Sequence, residues 1–326
     1  MRRSARTFPT VLVLAAVLLA ACAPATPPAP SSASAPAAPG AAPQFWVGYV
    51  AQKKGYFAQE GIDFEAIRLQ VAPNQTQALL SGDVQMIGFT VLSMATAIAA
   101  GAPLKLVASS QDAPTIQMLV RPEIQSWADL RGKTVGSGNS SGDYFDIALH
   151  LMMAANGIRE GEFTPRTMPS TARLPALQAG QLAGAIGSDR ETSAALAAGL
   201  RSLGTFTDYV KDVHYTGFLV NESWATANDD ALVRTLRALL RAMAWLYDPA
   251  NEEAKAIYAE EAGLTVADIA ATYSDVIGKQ LLPRDLRPNR KGIENILNLA
   301  HQQGALPEIP PLDTWIDLSY LDRASR

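Results

Sequence analysis

Apolar and polar residues after residue 43 follow two alternating patterns. Short apolar runs bounded by Gly or Asp predict strands, and longer runs with an apolar residue every three or four positions predict helices. Alternation of the two kinds of segment predicts an α/β fold. The predicted strands are 62–67, 84–89, 104–109, 116–120, 134–136, 163–168, 183–187 and 216–220. The predicted helices include 91–100, 143–156, 173–179 and 229–247, with a mostly helical remainder.

One pattern of helix, short turn and buried strand occurs twice. It is written ALLSGDVQMIGF at 78–89 and ALQAGQLAGAIGS at 176–188. Two similar α/β lobes would produce this repeat. The length from residue 44 to 326 is sufficient for one large or two medium domains.

The first 43 residues are predicted to lie outside the fold. Residues 1–21 combine three arginines with the apolar run VLVLAAVLLAA, which is shorter than the roughly 20 residues a membrane span needs. This pattern is typical of a secretory signal. Residues 22–43 are rich in Pro, Ala and Ser, so they are predicted to form a solvated tether. Cys22 is the only cysteine, which excludes an intramolecular disulfide.

The sequence Leu19-Ala20-Ala21-Cys22 resembles the lipobox of bacterial lipoproteins. The resemblance implies cleavage before Cys22 and diacylation of its thiol, and two acyl chains anchor a protein stably to a membrane. Loss of the three signal arginines leaves 24 basic residues against 31 acidic ones, a net charge of about −7. Such a charge argues against nucleic acid as a partner.

The stretch VGSGNSSGDYF, from Val135 to Phe145, contains a G-x-S-x-G motif centred on Ser140. A serine hydrolase would also need a histidine base, and the three histidines at 150, 214 and 301 stand in no recognisable catalytic context. The glycine spacing is one residue too long for a dinucleotide fingerprint. A third interpretation is a helix N-terminus that binds a polar or anionic group, with Ser140 or Ser141 as the N-cap.

Six segments carry a family pattern. They are GYVAQKKGYFAQEGIDFEAI, ALLSGDVQMIGFT, AAGAPLKLVAS, WADLRGKTVGSGNSSGDYFDIALHLMMAANGI, LPALQAGQLAGAI and GFLVNESWATANDDALVRTLRALLRA. Together they resemble the bacterial solute-binding proteins for aliphatic sulfonates, nitrate, thiamine-pyrimidine precursors and riboflavin. The resemblance covers nearly all of 44–326 and implies a two-lobed α/β fold of the type II periplasmic-binding class. It also implies a ligand in the cleft between the lobes, delivered to an ABC permease with its ATPase.

This resemblance places lobe one at 44–109 plus 217–326 and lobe two at 111–216, with the hinge at the two crossovers. Two features depart from the family pattern. A complete strand usually precedes the QFWVGYVA segment, whereas here the tether runs almost into Gln44. Either residues 45–50 replace part of that strand or the strand is missing. Many members also carry Glu-Pro where this chain has Ser188-Asp189-Arg190-Glu191.

The candidate ligand-binding residues lie at strand ends and helix starts, where the two lobes of such a fold face each other. Lobe one contributes aromatic and hydroxyl side chains, and lobe two contributes the glycine-rich turn and the end of a buried strand. The candidates are Trp46, Tyr49, Phe89, Thr90, Asn139, Ser140, Ser141, Tyr144, Ser188 and Asp189.

These aromatic and hydroxyl positions favour a flat vitamin-type solute, riboflavin first and a thiamine-pyrimidine precursor second. The alternative is an aliphatic sulfonate, taurine or nitrate, which wants several donors and often a cation, and Arg190 is the only predicted candidate for that cation. Two further alternatives are a serine hydrolase using Ser140 and a purely structural surface lipoprotein. No catalytic residue, cofactor or metal is predicted. The expected location is the extracytoplasmic face of a cell membrane, through the lipid anchor.

Overall fold

The computed structural model describes residues 43–67 and 72–326. The predicted signal, Cys22 and the tether up to residue 42 lie outside the described residues. Within them, no helix is long and apolar enough to cross a membrane. The helices are α1 Trp46–Lys53, α2 Tyr56–Gln59, α3 Ala72–Ser81, α4 Val91–Ala99, α5 Tyr144–Ala155, α6 Ser170–Gln178, α7 Asp189–Ala197, α8 Phe206–Tyr209, α9 Glu222–Ala227, α10 Asp229–Leu246, α11 Glu253–Ala262, α12 Val266–Gly278, α13 Arg290–Gln302 and α14 Ser319–Ala324. Short 3-10 helices cover Pro43–Phe45, Trp127–Leu130 and Leu312–Thr314.

Eight strands form two separate sheets. They are β1 Met86–Thr90, β2 Leu104–Gln111, β3 Gln117–Val120, β4 Thr134–Gly136, β5 Thr164–Arg166, β6 Gly184–Gly187, β7 Arg201–Thr205 and β8 Thr216–Asn221. Sheet A has the order β1-β8-β2, and sheet B has the order β5-β4-β6-β3-β7. We use lobe one for the part of the chain built on sheet A and lobe two for the part built on sheet B. The two-lobed α/β fold class expected from the sequence is confirmed.

The central strand of sheet A, β8, pairs antiparallel with both of its neighbours. Its first residue, Thr216, lies opposite Thr90 at the end of β1 and Gln111 at the end of β2. In sheet B, β4 runs parallel to β5 and β6, and β3 runs antiparallel to β6 and β7. The chain therefore leaves sheet A after Gln111, builds sheet B, and returns at Thr216.

The QFWVGYVA segment, where the chain departs from the family pattern, lies in the helical layer of lobe one. Trp46, Val47, Val50 and Ala51 lie on one face of α1 and are all buried, so this segment forms a helix rather than a strand. Trp46 packs against Tyr258 and stacks on Tyr273, with ring centroids 4.1 and 5.4 Å away. The idea that residues 45–50 replace part of a first strand is wrong.

Three sequence-based predictions of secondary structure need correction. Residues 62–67 alternate like a strand but pair with no strand in the described part of the chain, and the side chain of Ile67 is 53% exposed. A strand is held by backbone hydrogen bonds to a neighbour, which local alternation does not supply. The sequence of 196–204 predicts a segment that leads into a short turn, but Arg201–Thr205 form β7 at the edge of sheet B. Helix α6 begins at Ser170, three residues earlier than predicted.

Close packing at Gly217 leads to a stability prediction. A Cβ at this position would lie 2.5 Å from Leu106 Cδ1 and 2.6 Å from the backbone oxygen of Ala108. Because a neighbouring backbone cannot move aside cheaply, we expect Gly217→Ala to lower the free energy of unfolding by about 1–3 kcal/mol. Urea denaturation measures this change. The control is Gly278→Ala at the end of α12, where nothing lies within 4 Å of the added Cβ; equal losses in both variants would contradict the prediction.

Candidate functional site

The glycine-rich turn lies between β4 and α5, and Asp143 is its organising residue. One carboxylate oxygen of Asp143 accepts the N–H of Asp146 at 2.9 Å, which makes Asp143 the N-cap of α5. The other oxygen accepts the N–H groups of Asn139 at 2.6 Å and Ser140 at 3.1 Å. A Cβ on Gly138 would overlap this carboxylate. The prediction that Ser140 or Ser141 caps the helix is therefore wrong.

Ser140 has no catalytic partner among the described residues. Its side chain is exposed, and the three histidines contact other groups. His150 contacts Glu160, His214 Nδ1 lies 3.1 Å from Asp112, and His301 Nδ1 lies 2.8 Å from the Leu306 oxygen. The structure thus places no imidazole against the Ser140 hydroxyl. The G-x-S-x-G motif forms part of the turn that leads into the capped helix α5.

A buried polar chain supports this turn from below. The hydroxyl of Ser137 donates to Asp146, which also accepts the N–H of Gly142 at 2.7 Å. His150 Nε2 lies 3.7 Å from Asp146. Burial opposes the charged form of Asp146, but hydrogen bonds from His150, Gly142 and Ser137 outweigh it and lower the pKa of this carboxyl. Burial likewise opposes the charged form of His150, and hydrogen bonds to Asp146 and Glu160 outweigh it and raise its pKa.

A buried arginine that the sequence analysis missed lies behind the turn. Arg173 is 2% exposed, and its guanidinium donates to the Ile186 oxygen at 2.9 Å and to Asn139 Oδ1 at 3.4 Å. Glu191 lies 3.9 Å away. Burial lowers the pKa of Arg173, against the opposing effect of Glu191 and Asp143. The guanidinium therefore places a cation against Asn139, one of the predicted site residues.

Three helices of lobe two begin at the same edge. Ser170, the first residue of α6, donates its backbone N–H to Asn139 Oδ1 at 3.0 Å, which joins the start of α6 to the turn before α5. Ser188 caps α7, and its N–H and hydroxyl donate to Glu191 Oε2 at 2.9 and 2.8 Å. Asp189 is the first residue of α7. Helix N-termini carry partial positive charge, so this edge favours anionic groups.

The predicted residues of lobe one lie in two different places. Thr90 ends β1 and caps α4, where its Oγ1 accepts the Ser93 N–H at 3.3 Å. Phe89 is buried and pairs with Gly217. Trp46 is 1% exposed within the helical layer, and Tyr49 lies beside it around a small cavity that Ala254 and Ile257 also line. Only Thr90 of these four lies partly exposed at the end of sheet A that faces lobe two.

Several polar side chains meet at the hinge, where the chain crosses between the sheets. Ser110 donates to Thr216 Oγ1 at 3.0 Å, and His214 contacts Asp112. Tyr144 reaches this region from lobe two, with its ring centroid 4.7 Å from that of Tyr215. Of the predicted site residues, Tyr144 contacts the hinge through Tyr215, and Thr90 reaches it as the strand partner of Thr216. The polar pairs Ser110–Thr216 and Asp112–His214 were not predicted, because only folding brings residues about 100 positions apart together.

The lobes are closed on each other. A Cβ on Gly142 of lobe two would overlap the Ala305 side chain of lobe one. Lys279 at the end of α12 donates to Thr205 at 3.0 Å and pairs with Asp208 at 3.2 Å, both in lobe two. A groove of about 450 Å³ on lobe two, between β5 and α6, contains none of the predicted site residues. The two lobes are therefore in contact at Gly142 and Ala305 and through Lys279.

Known proteins share the sequence pattern of this chain. The NMT1/THI5-like family description matches residues 42–252. The chain belongs to the NMT1/THI5-like family. The family expected from the sequence is thus confirmed. A relative in Bacillus subtilis (strain 168), with the name "Putative binding protein YtlA", is 20% identical to this family member over 304 residues, covering 85% of each chain.

Solved structures share the fold of this NMT1/THI5-like protein at low identity. The aliphatic sulphonate binding protein SsuA from Escherichia coli is 20% identical with a TM-score of 0.66, covering 84% of this chain and 89% of its own. The nitrate-binding protein NrtA from Synechocystis PCC 6803 is 15% identical with a TM-score of 0.72, covering 87% and 86%. The desulfurization enzyme DSZB is 13% identical with a TM-score of 0.62, covering 87% and 96%. The fold is therefore shared by binding proteins and at least one enzyme.

The contact between Gly142 and Ala305 predicts that an added methyl group opposes closure. We expect Gly142→Ala to increase the radius of gyration measured by small-angle X-ray scattering. Gly157→Ala is the matched control, because Gly157 has a φ of 74° against 75° for Gly142 and open space around its Cβ position. The backbone strain of the two substitutions is thus similar. Scattering curves that superimpose for both variants would contradict the closed contact.

The buried contacts of Ser137, Asp146 and His150 under the turn predict that the stability of the protein depends on pH. The pKa of His150 is raised above 6.5 in the folded protein, so its stabilising effect is complete below pH 6.5 and is lost as the pH rises through the folded pKa. The lowered pKa of Asp146 keeps that carboxylate ionised over this range. We expect His150→Gln to remove this decline in the free energy of unfolding, measured by urea denaturation at a series of pH values. His301→Gln, the control, should retain it; a decline that persists in His150→Gln would assign it to another group.

Proposed function

We propose that this chain is the solute-binding subunit of an ABC importer and that its solute is a small organic anion of the sulfonate type. The observation that carries the proposal is the buried Arg173 guanidinium against Asn139, on the lobe-two edge where three helices begin. The reported functions of SsuA, NrtA and YtlA support a binding role. The proposed partners are a permease and its ATPase.

The residues of the site favour binding of an unchanged solute over catalysis of a reaction. Ser140 contacts no histidine among the described residues, and the only cysteine of the chain is Cys22, outside the described residues. An enzyme such as DSZB has the same fold, so the fold alone does not decide the question. The closed lobes and the polar hinge between them are what a protein that traps a solute needs.

An anionic solute is favoured by the charges at the lobe-two edge. The N-termini of α5 and α7 already bind oxygens of the chain's own carboxylates, Asp143 and Glu191, which shows the kind of atom this edge attracts. These two carboxylates also offset part of the positive potential. Arg173 is therefore the fixed cation that would balance a bound anion, through Asn139 and the exposed hydroxyls of Ser140 and Ser141.

The preference for riboflavin loses its main support. That preference depended on aromatic rings at the cleft, with Trp46 and Tyr49 at the mouth of lobe one. Trp46 is instead 1% exposed and stacked on Tyr273, so its ring faces are already covered. Flat heteroaromatic solutes need free ring faces for stacking. We therefore place riboflavin and the thiamine-pyrimidine precursor behind the sulfonate and nitrate class.

The remaining parts of the proposal concern location. We propose that the chain is a lipoprotein held through Cys22 at the extracytoplasmic face of a cell membrane, with residues 22–43 as the tether. This arrangement leaves both lobes free to meet a permease. The described residues begin at 43, so the anchor rests on the sequence pattern alone.

Calorimetric titration of the full chain with taurine, ethanesulfonate, nitrate, riboflavin and thiamine pyrimidine tests the proposal. We expect saturable binding of sulfonates and a loss of about 10- to 100-fold in affinity in Arg173→Gln, the effect of a hydrogen bond to a charged group. Arg131→Gln, an exposed arginine of the same lobe, is the control. Binding of riboflavin alone would overturn the anion assignment, and no binding of any solute would favour the structural lipoprotein.

A further inference from the structure

Three buried polar atoms at the hinge have no hydrogen-bond partner in the described part of the chain. They are Gln111 Oε1, Tyr144 Oη and His214 Nε2. Their residues are 1%, 3% and 0% exposed. A buried polar group without a partner is destabilising, so such groups are rare unless something binds them. Three around one hinge indicate a place that is incomplete without a bound molecule.

These atoms belong to the two crossovers and to the opposing lobe. Gln111 ends β2, His214 lies two residues before β8, and Tyr144 begins α5 in lobe two. Asp112 follows Gln111 in the chain and contacts His214 at 3.1 Å, and its charge, after burial and Tyr215, raises the pKa of Tyr144 well above its ordinary range. The Asp112 side chain is 30% exposed, so solvent reaches the cluster on this side.

The hydrogen bonds already made determine what the free atoms can accept. Gln111 donates its Nε2 to the Ala113 oxygen at 2.7 Å, which identifies its free Oε1 as an acceptor. Because His214 Nδ1 faces the Asp112 carboxylate, we assign the Nδ1–H tautomer to this ring, which leaves a lone pair on Nε2. Tyr144 Oη can accept as well as donate. The cluster therefore has more acceptors than donors.

We propose that Gln111, Tyr144 and His214 form a subsite for a solute group that carries several N–H donors. An ammonium group has three N–H donors and a positive charge that Asp112 would balance. An anionic oxygen would satisfy neither Gln111 Oε1 nor His214 Nε2. The inference deepens the proposed function and rests on it: the solute is an amino-substituted organic anion, with its anionic end near Asn139 and Arg173 and its amine at the hinge.

This subsite would also couple recognition to closure. Tyr144 belongs to lobe two, whereas Gln111 ends β2 of sheet A and Asp112 follows it, so all of them reach one amine only when the lobes meet. Closure without the amine leaves the three atoms buried and unpaired. A solute that lacks the N–H donors would therefore stabilise the closed lobes less.

The test compares taurine with ethanesulfonate, which differ by the amino group. Calorimetry of the full chain should show taurine binding about 10- to 100-fold more tightly, as expected for charge-assisted hydrogen bonds. Tyr144→Phe keeps the ring and should reduce this ratio, as should Gln111→Leu. Tyr56→Phe, a tyrosine of lobe one outside the hinge, should keep the wild-type ratio. Thermal melting of each variant checks folding, and the isosteric Tyr144→Phe suffices if Gln111→Leu does not fold.

The outcomes separate the inference from the function it rests on. Equal affinity for taurine and ethanesulfonate overturns the amine subsite and leaves the anion assignment standing. A wild-type ratio in Tyr144→Phe also overturns it. Binding of the aminopyrimidine but of no sulfonate, with a loss in Tyr144→Phe, supports the N–H subsite and overturns the anion assignment. No binding of any of these solutes overturns both.

Discussion

The pairing of β8 with both β1 and β2 is the constraint on which the functional region depends. It places Thr90, Thr216 and Gln111 in one row at the end of sheet A, and both chain crossings leave from that row. Since side chains alternate between faces, a shift of one residue in this register would turn the row to the opposite face. The hinge and the candidate site are therefore adjacent for a topological reason.

The glycine-rich turn shows how one sequence pattern can arise from different physics. In a hydrolase, such a turn exposes a nucleophile to a histidine. Here Gly138 leaves room for the Asp143 carboxylate, and Gly142 allows Ala305 to approach from the other lobe. The polar side chains of the segment bind other groups of the same segment. Asp143 caps the helix, and Asp146 contacts both Ser137 and His150 beneath the turn. The turn is rigidly held, which suits a surface that grips a solute.

The lobe-two edge around Asn139 and the hinge differ in the polar groups that they bury. Lobe two holds Arg173 almost fully buried behind Asn139, whereas the hinge holds acceptor atoms around Asp112. A cation behind one wall and unpaired acceptors at the other end favour a solute with opposite charges at its two ends. In the proposed mode of binding, a solute that pairs with these buried polar atoms would make the occupied closed state more stable than the empty one.

The sequence by itself determined the α/β alternation, the boundaries of the strongest elements and the family. Helix α10 and strands β4, β6 and β8 lie within a few residues of their predicted positions because each depends on local periodicity. The tertiary structure alone decided that 62–67 lacks a strand partner, that Trp46 is a core residue, and that Arg173 lies against Asn139. It also decided that His214 contacts Asp112 and that Tyr144 of lobe two packs against Tyr215 at the hinge. Each of these facts depends on which distant residues become neighbours, and no local pattern carries that information.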